Sequence, residues 1–139
     1  MKLLSYFFFY TYVGLVLLAG FWGAFVYPRL DHLWLFDLDP NTLPEHTRIN
    51  MFSQYRFLRA LELGYGLFAI LFTKEIFTDK KFNRLFLLIM FSGVLARMVS
   101  LIVEGSPSGL FYFFLTYEMV GVAVIYFYSR TTVRQHVNY

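Results

Sequence analysis

The sequence predicts an all-α membrane protein, an up-and-down bundle of four transmembrane helices with a longer exterior loop between helices one and two. Hydrophobic residues make up 58% of the chain and charged residues only 15%, whereas a soluble domain is about 25% charged. Only helices and closed barrels span membranes, and long unbroken apolar runs favour helices. The 139 residues, 1–139, are predicted to form one integral membrane domain.

Four runs are long enough for a hydrocarbon layer that takes roughly 20 helical residues, at residues 3–27, 52–73, 85–103 and 110–128. The first is not predicted to be a cleaved signal peptide, because Trp22, Phe25 and Tyr27 stand where small residues are needed. Thr42, followed three residues later by Glu45, resembles a capping box. The second helix is therefore predicted to begin outside the bilayer and to run as one rod to about Thr73.

Lysine and arginine are distributed unevenly among the predicted loops. The two exterior loops hold only Arg29 and Arg48, and the other three flanks hold seven cations. Cytoplasmic flanks are enriched in lysine and arginine, so both termini are predicted to lie in the cytoplasm. This topology accounts for most of the net charge of +3, and no nucleic-acid partner is predicted. The seven cations are Lys2, Lys74, Lys80, Lys81, Arg84, Arg130 and Arg134.

The exterior loop reads "PRLDHLWLFDLDPNTLPEHTRIN", and its "LWLF" indicates a segment in the membrane interface rather than in water. Its acidic and histidine residues match no metal-ligand spacing, and the chain has no cysteine. No histidine falls in a predicted span, which disfavours haem. The sequence therefore predicts no metal and no cofactor, and it contains no recognisable catalytic motif.

Charged residues deep in the predicted spans are the most informative feature of the sequence. Arg59, Glu62, Arg97 and Glu118 each cost about 2.5 to 3.5 kcal/mol at mid-helix if they face lipid. They are therefore expected to face inward and to find one another. Arg97 is expected to pair with Glu118, with Glu62 as the competing partner.

Helical spacing supports a buried cluster, because each of three spans carries a polar stripe with steps of four, three and four residues. The predicted cluster lies in the outer half of the bundle, with a mouth above it. The stripes are Tyr55, Arg59, Glu62 and Gly66; Gly93, Arg97, Ser100 and Glu104; and Phe114, Glu118, Gly121 and Ile125. The predicted cluster is Arg59, Glu62, Arg97, Ser100 and Glu118, and the mouth is Arg56, Glu104, Tyr55 and Tyr117.

Glycine and alanine recur at small-xxx-small spacing, which is typical of close contact between membrane helices. Close packing is the predicted role of the glycines at 14, 20, 23, 64, 66, 93 and 121.

The stretch "GVLARMVSLIVEGSPSGLFYFFLTYEMV" resembles a small bacterial membrane family, domain of unknown function 4345, within the DoxX-like group of four-helix proteins. Arg59 in "RALELGYG" matches the arginine of that family's second helix, whereas Glu62 departs from the small or apolar residue often found there. The resemblance implies four helices and a bacterial inner membrane but no established activity. Its matching positions are Gly93, Arg97, Ser100, Glu104, Gly105, Pro107 and Glu118.

Three function classes remain open from the sequence. The first is binding of an amphipathic or anionic small molecule, such as a lipid headgroup or quinone, at the buried charges. The second is an accessory subunit that docks on a larger membrane complex or on its own copies, using the small-residue face of helix one, with a purely structural ion-pair network. The third, a transport or proton-relay unit, is weakest because the inner half offers few polar groups.

Overall fold

The computed structural model describes residues 1–137, with side chains through residue 133, and these residues contain helices and no strand. The side chain of Arg134, which the topology prediction counts, lies outside the described residues. The all-helical prediction is confirmed. The elements are α1 (Lys2–Phe21), a π-helical turn (Trp22–Val26), α2 (Pro28–Phe36), a 3-10 turn (Pro40–Thr42), α3 (Glu45–Leu71), α4 (Thr73–Thr78), α5 (Lys80–Val103) and α6 (Gly109–Val137).

The chain forms two compact units, which are Met1–Tyr12 with Leu71–Tyr139, and Val13–Ile70. In the first unit α4, α5 and α6 pack on one another. Its aromatic core centres on Phe9, whose ring lies 5.3 Å from Phe77 and 5.2 Å from Phe86. The Asn83 side chain joins α5 to α4 by donating to the Ile76 carbonyl at 2.9 Å, so this buried amide is satisfied.

The second unit holds the end of α1, the π-helical turn, α2 and most of α3. Glycines on both helices let α1 and α3 approach closely. A Cβ built at Gly20 would lie 2.7 Å from the backbone nitrogen of Leu63, and one at Gly66 would lie 2.8 Å from Leu17. The close-packing prediction therefore holds at these positions: a Cβ at Gly20 would strike the backbone of α3, and one at Gly66 would require the Leu17 side chain to move.

Not all of the other glycines follow the packing prediction. A Cβ built at Gly14, Gly64 or Gly93 meets no heavy atom within 4 Å. At Gly121 the nearest atoms are at ordinary van der Waals distance, 3.6 Å or more. Gly121 is buried against Phe8 and Met90, so it does lie at a helix contact. The prediction was wrong for Gly14, Gly64 and Gly93, because small-residue spacing does not identify which helix face has a neighbour.

Local side-chain chemistry determines several helix ends. Pro28 occupies the first turn of α2, where its missing N–H costs nothing. Asp37 adopts a left-handed conformation (φ 51°) at the end of α2, and the Leu38 N–H donates to the His32 carbonyl at 3.0 Å. Asp79 caps α5 by accepting from the Lys81 N–H at 2.7 Å.

The predicted capping box at Thr42, which would start the helix at residue 43, is wrong. The α3 helix begins at Glu45, and its first turn is closed by the Arg48 N–H donating to the Pro44 carbonyl at 3.0 Å. The Thr42 hydroxyl instead donates to the Asp39 carbonyl at 2.7 Å. Thr42 ends the short 3-10 turn, so its side chain is committed there and not to α3.

Within the described part of the chain, three helices are long and apolar enough to cross a membrane, and they indicate a membrane protein. They span Lys2–Val26, Lys80–Val103 and Gly109–Val133. The remaining predicted span, residues 52–73, lies mostly in α3, which runs as one rod to Leu71. Its apolar part carries Arg56, Arg59 and Glu62. This helix therefore differs from the other three in the number of charged residues within its apolar part.

Candidate functional site

Arg97 and Glu118 form a two-pronged ion pair in the first unit, joining α5 to α6. Arg97 Nε donates to Glu118 Oε2 at 2.9 Å, and Nη2 donates to Oε1 at 3.2 Å. The Arg97 guanidinium also lies 5.7 Å from the centre of the Phe114 ring. This parallel geometry is the strong form of an arginine–carboxylate contact, and the predicted pairing is confirmed.

The two partners of this pair differ in exposure. The Glu118 side chain is 15% exposed, whereas the Arg97 side chain is 35% exposed. Arg97 Nη1 donates no hydrogen bond within the part of the chain whose side chains are described. One edge of the guanidinium is therefore paired and the other is open.

The polar stripe predicted on α5 is displaced from the buried face of that helix. The buried positions are Asn83, Phe86, Met90 and Val94, and Arg97 continues this line one turn later. Gly93, Ser100 and Glu104 are exposed, so the expectation that the whole stripe faces inward was wrong. The core follows Val94, one position (about 100° of helix) away from Gly93.

The stripe predicted on α6 faces inward. Gly121 and Ile125 are buried, and Glu118 is largely covered. On the same helix the Tyr117 hydroxyl hydrogen-bonds the Thr11 hydroxyl of α1 within the first unit. Tyr117, predicted to lie at a pocket mouth, therefore serves a contact between two helices.

Arg59 is the centre of a second polar network, within the other unit. Its Nη1 donates to Glu62 Oε2 at 2.6 Å, and its Nε and Nη2 donate to the Tyr55 hydroxyl at 2.8 and 2.6 Å. Tyr55 in turn donates to Asp31 Oδ2 at 2.8 Å, and Arg59 Nη2 lies 3.9 Å from the same oxygen. All three guanidinium nitrogens have partners, and only 16% of the side chain is exposed.

The π-helical turn covers the aliphatic part of Arg59. A Cβ built at Gly23 would lie 2.6 Å from Arg59 Cγ, so the absence of a side chain at Gly23 makes room for the arginine stem. One turn earlier on α3, Arg56 Nη1 donates to the Ala24 carbonyl in the π-helical turn. Arg56, predicted to lie at a mouth, thus satisfies a backbone acceptor of the second unit.

The sequence did not identify Asp31 as a partner of the buried arginines. It lies on α2, in the stretch predicted as an exterior loop, and its side chain is 15% exposed. The neighbouring His32 is buried, and its Nδ1 donates to the Pro28 carbonyl at 2.8 Å. Among the described residues, no three His, Asp or Glu side chains are grouped so that they could hold a metal ion.

Five of the nine predicted site residues therefore fall into two polar groups, each within its own unit. We define the Arg97 pair as Arg97 with Glu118, and the Arg59 network as Asp31, Tyr55, Arg59 and Glu62. The Arg97 pair has a formal net charge of zero. The Arg59 network has a formal net charge of −1, because Asp31 and Glu62 accompany a single arginine. Glu104 is exposed, and it has no side-chain partner among the described residues.

Comparison with known proteins identifies a family and no activity. A family model described as Domain of unknown function (DUF4345) matches residues 2–129. Neither a curated protein nor a solved structure matches the chain.

Proposed function

The chain belongs to the family described as Domain of unknown function (DUF4345), and we propose that it binds the polar end of an amphipathic or anionic small molecule at the Arg97 pair. The ligand is a lipid headgroup or a quinone-like molecule. In this proposal α3 is the fourth span of a DoxX-like four-helix bundle in the bacterial inner membrane, with both termini in the cytoplasm.

The open edge of Arg97 is the observation that carries the proposal. It lies on α5, which is one of the helices able to cross a membrane. An unsatisfied polar group in hydrocarbon costs several kcal/mol, because no water is there to bond it. Glu118 occupies Nε and Nη2, so Nη1 needs an acceptor oxygen from outside the described chain.

Ser100 adds a second donor on the same side of α5, three residues further along. Helical hydroxyls commonly donate back to a carbonyl in the preceding turn, and the Ser92 hydroxyl does so with the Ile89 carbonyl at 2.7 Å. Ser100 makes no such bond among the described residues and is exposed. Arg97 and Ser100 together offer donors to a group with one or more acceptor oxygens.

The charge of the pair narrows the ligand class. Because the negative charge of Glu118 already balances Arg97, the pair attracts a small free anion only weakly. An amphipathic molecule gains affinity from apolar burial as well as from hydrogen bonds. Leu101, one turn further along α5, and Phe114 of α6, whose ring centre lies 5.7 Å from the guanidinium, are both partly exposed and supply that apolar surface. A polar head with an apolar tail therefore fits this site best.

Native mass spectrometry of the protein released from its own membranes tests the proposal. The wild type is expected to carry a small adduct that Arg97→Ala loses. Arg84→Ala is the matched control, because Arg84 is an exposed arginine on the same helix, and it is expected to keep the adduct. An adduct that survives Arg97→Ala, or a wild type with no adduct, contradicts ligand binding at this site.

An accessory role remains as a second candidate, but through a different face from the predicted one. Gly20, Gly23 and Ala24 on the first helix are buried, and the two glycines pack against α3 within the second unit. That face was wrongly predicted to be free. Gly93 and Ser100 on α5 are exposed instead, and small residues favour close helix contact. A constant, protein-sized extra mass in the same spectra would favour this role.

A further inference from the structure

The α2 helix turns its polar residues toward the protein. Asp31 accepts from the Tyr55 hydroxyl at 2.8 Å, and Arg29 Nη1 donates to Asn41 Oδ1 at 3.3 Å. His32 is 3% exposed, and its ring lies 4.5 Å from that of Tyr55. The charged and imidazole groups of the helix therefore have partners within the second unit.

The opposite side of α2 is apolar and uncovered. Trp34 is 77% exposed, and Leu33 beside it is 41% exposed. A surface helix in water shows the reverse arrangement, with its apolar stripe toward the core and its charges outward. Large exposed apolar patches mark contact with another molecule or with a membrane. The outward side of α2 is therefore suited to surroundings less polar than water.

The position of α2 in the chain identifies those surroundings. The candidate span Lys2–Val26 ends in the π-helical turn, and α2 begins at Pro28 with Tyr27 as its N-cap residue. Trp22, Phe25 and Tyr27, at this junction, are exposed aromatic residues, and aromatic side chains are enriched where a span meets the headgroups. The apolar side of α2 continues this aromatic belt.

We infer that α2 is an interfacial helix, which lies along the membrane surface with Trp34 inserted in the boundary between headgroups and acyl chains. Helices of this kind bury their apolar face roughly 5–10 Å into that boundary. The partner of this surface is the lipid bilayer itself. This inference does not depend on the ligand proposed for the Arg97 pair.

Depth-dependent quenching of tryptophan fluorescence tests this placement. The chain has two tryptophans, Trp22 and Trp34, so Trp22→Phe isolates the α2 signal in the full-length protein. The protein is reconstituted in phosphatidylcholine vesicles whose acyl chains carry bromine either near the headgroup or near the bilayer centre, and iodide probes the water. Trp34→Phe, which reports Trp22 at the end of the candidate span, is the matched control and is expected to be quenched by brominated lipid.

The expected result is that bromine near the headgroup removes more of the Trp34 emission than bromine near the centre or iodide. Quenching mainly by iodide would overturn the inference, because α2 would then lie in water. Quenching mainly by central bromine would overturn it by placing α2 within the hydrocarbon. Protection from all three quenchers would show that protein covers Trp34, and would overturn it as well.

Discussion

The two arginine sites of this chain show how the same side chain can be closed or open. Arg59 donates from all three of its nitrogens to Tyr55 and Glu62, and its stem lies over the bare backbone of Gly23. Arg97 donates from two nitrogens to Glu118 and leaves the third without a partner among the described residues. A closed site stabilises a fold, whereas an open one can also hold another molecule.

The difference originates in what surrounds each arginine. Residues of the π-helical turn, α2 and α3 enclose Arg59 within the second unit. Arg97 instead has Glu118 and Phe114 of α6 beside it, and Ser100 next to it on α5 is exposed. Mutations that act only on stability should therefore affect the Arg59 network most. Mutations at the Arg97 pair should instead alter the proposed ligand binding at little cost in stability.

The largest expected effect is that of Arg59→Met, which leaves Asp31 and Glu62 without their cation. We expect a loss of about 3 kcal/mol in the free energy of unfolding, the lower end for a buried pair, because Glu62 is partly exposed. Arg97→Met should cost about 1–2 kcal/mol, between the values for exposed and buried pairs. Denaturant titration in mild detergent measures both, with Arg84→Met as the exposed control. Equal losses at the two arginines would remove the distinction between them.

Glycine substitutions extend the same comparison to packing. Gly20→Ala places a Cβ 2.7 Å from the Leu63 backbone nitrogen, and overpacking of this kind typically costs about 1–3 kcal/mol. Gly93→Ala meets nothing within 4 Å and should stabilise α5 by up to about 1 kcal/mol through helix propensity. The two variants should shift the unfolding midpoint in opposite directions. A destabilised Gly93→Ala would show that a partner covers this face of α5.

Removing single hydroxyl groups should have a smaller effect than removing Arg59. Tyr55→Phe deprives Arg59 and Asp31 of their shared partner, which should cost about 1–3 kcal/mol because both groups are charged. Tyr117→Phe loses only the contact with the Thr11 hydroxyl and should cost about 0.5–1.5 kcal/mol. The free energies of unfolding of the two variants check this order, and a reversed order would count against the closed network.

The smallest expected effect on stability is that of Ser100→Ala. Its hydroxyl makes no hydrogen bond among the described residues, so the free energy of unfolding should change by less than about 0.5 kcal/mol. The fraction of protein that carries the small adduct in native mass spectra should nevertheless fall. Ser5→Ala is the contrasting control, because the Ser5 hydroxyl donates to the Val124 carbonyl at 3.2 Å. An unchanged adduct in Ser100→Ala would leave Arg97 as the sole donor of the proposed site.

Much of the fold was predictable because it depends on local periodicity. The third apolar run was predicted to end at residue 103, and α5 ends at Val103. The α4 helix and the π-helical turn were not predicted, since they are short and have no periodicity of their own. The helical character of Pro28–Phe36 was also missed, because its nine residues are too few to show a clear helical period.

The candidate site was partly predictable for a related reason. Arg59 and Glu62 lie three residues apart on one helix, and matched depths on neighbouring spans indicated Arg97 with Glu118. The Tyr55 bond to Asp31 joins residues 24 positions apart, and no periodicity indicates how α2 folds back on α3. The exposure of Ser100 was missed because helical spacing places it on the same side of α5 as Arg97 but does not show how far the neighbouring helix covers that side.

The π-helical turn at Trp22–Val26 has a consequence for how this chain tolerates changes in length. Its Tyr27 N–H donates to the Trp22 carbonyl, five residues back, at 3.2 Å, one residue more than an α-helical bond encloses. The turn thus contains one residue more than an α-helical turn would need to connect the first candidate span to α2. A single-residue deletion here can be absorbed by conversion to an α-helical turn, whereas the same deletion within α5 would rotate every later side chain by about 100°.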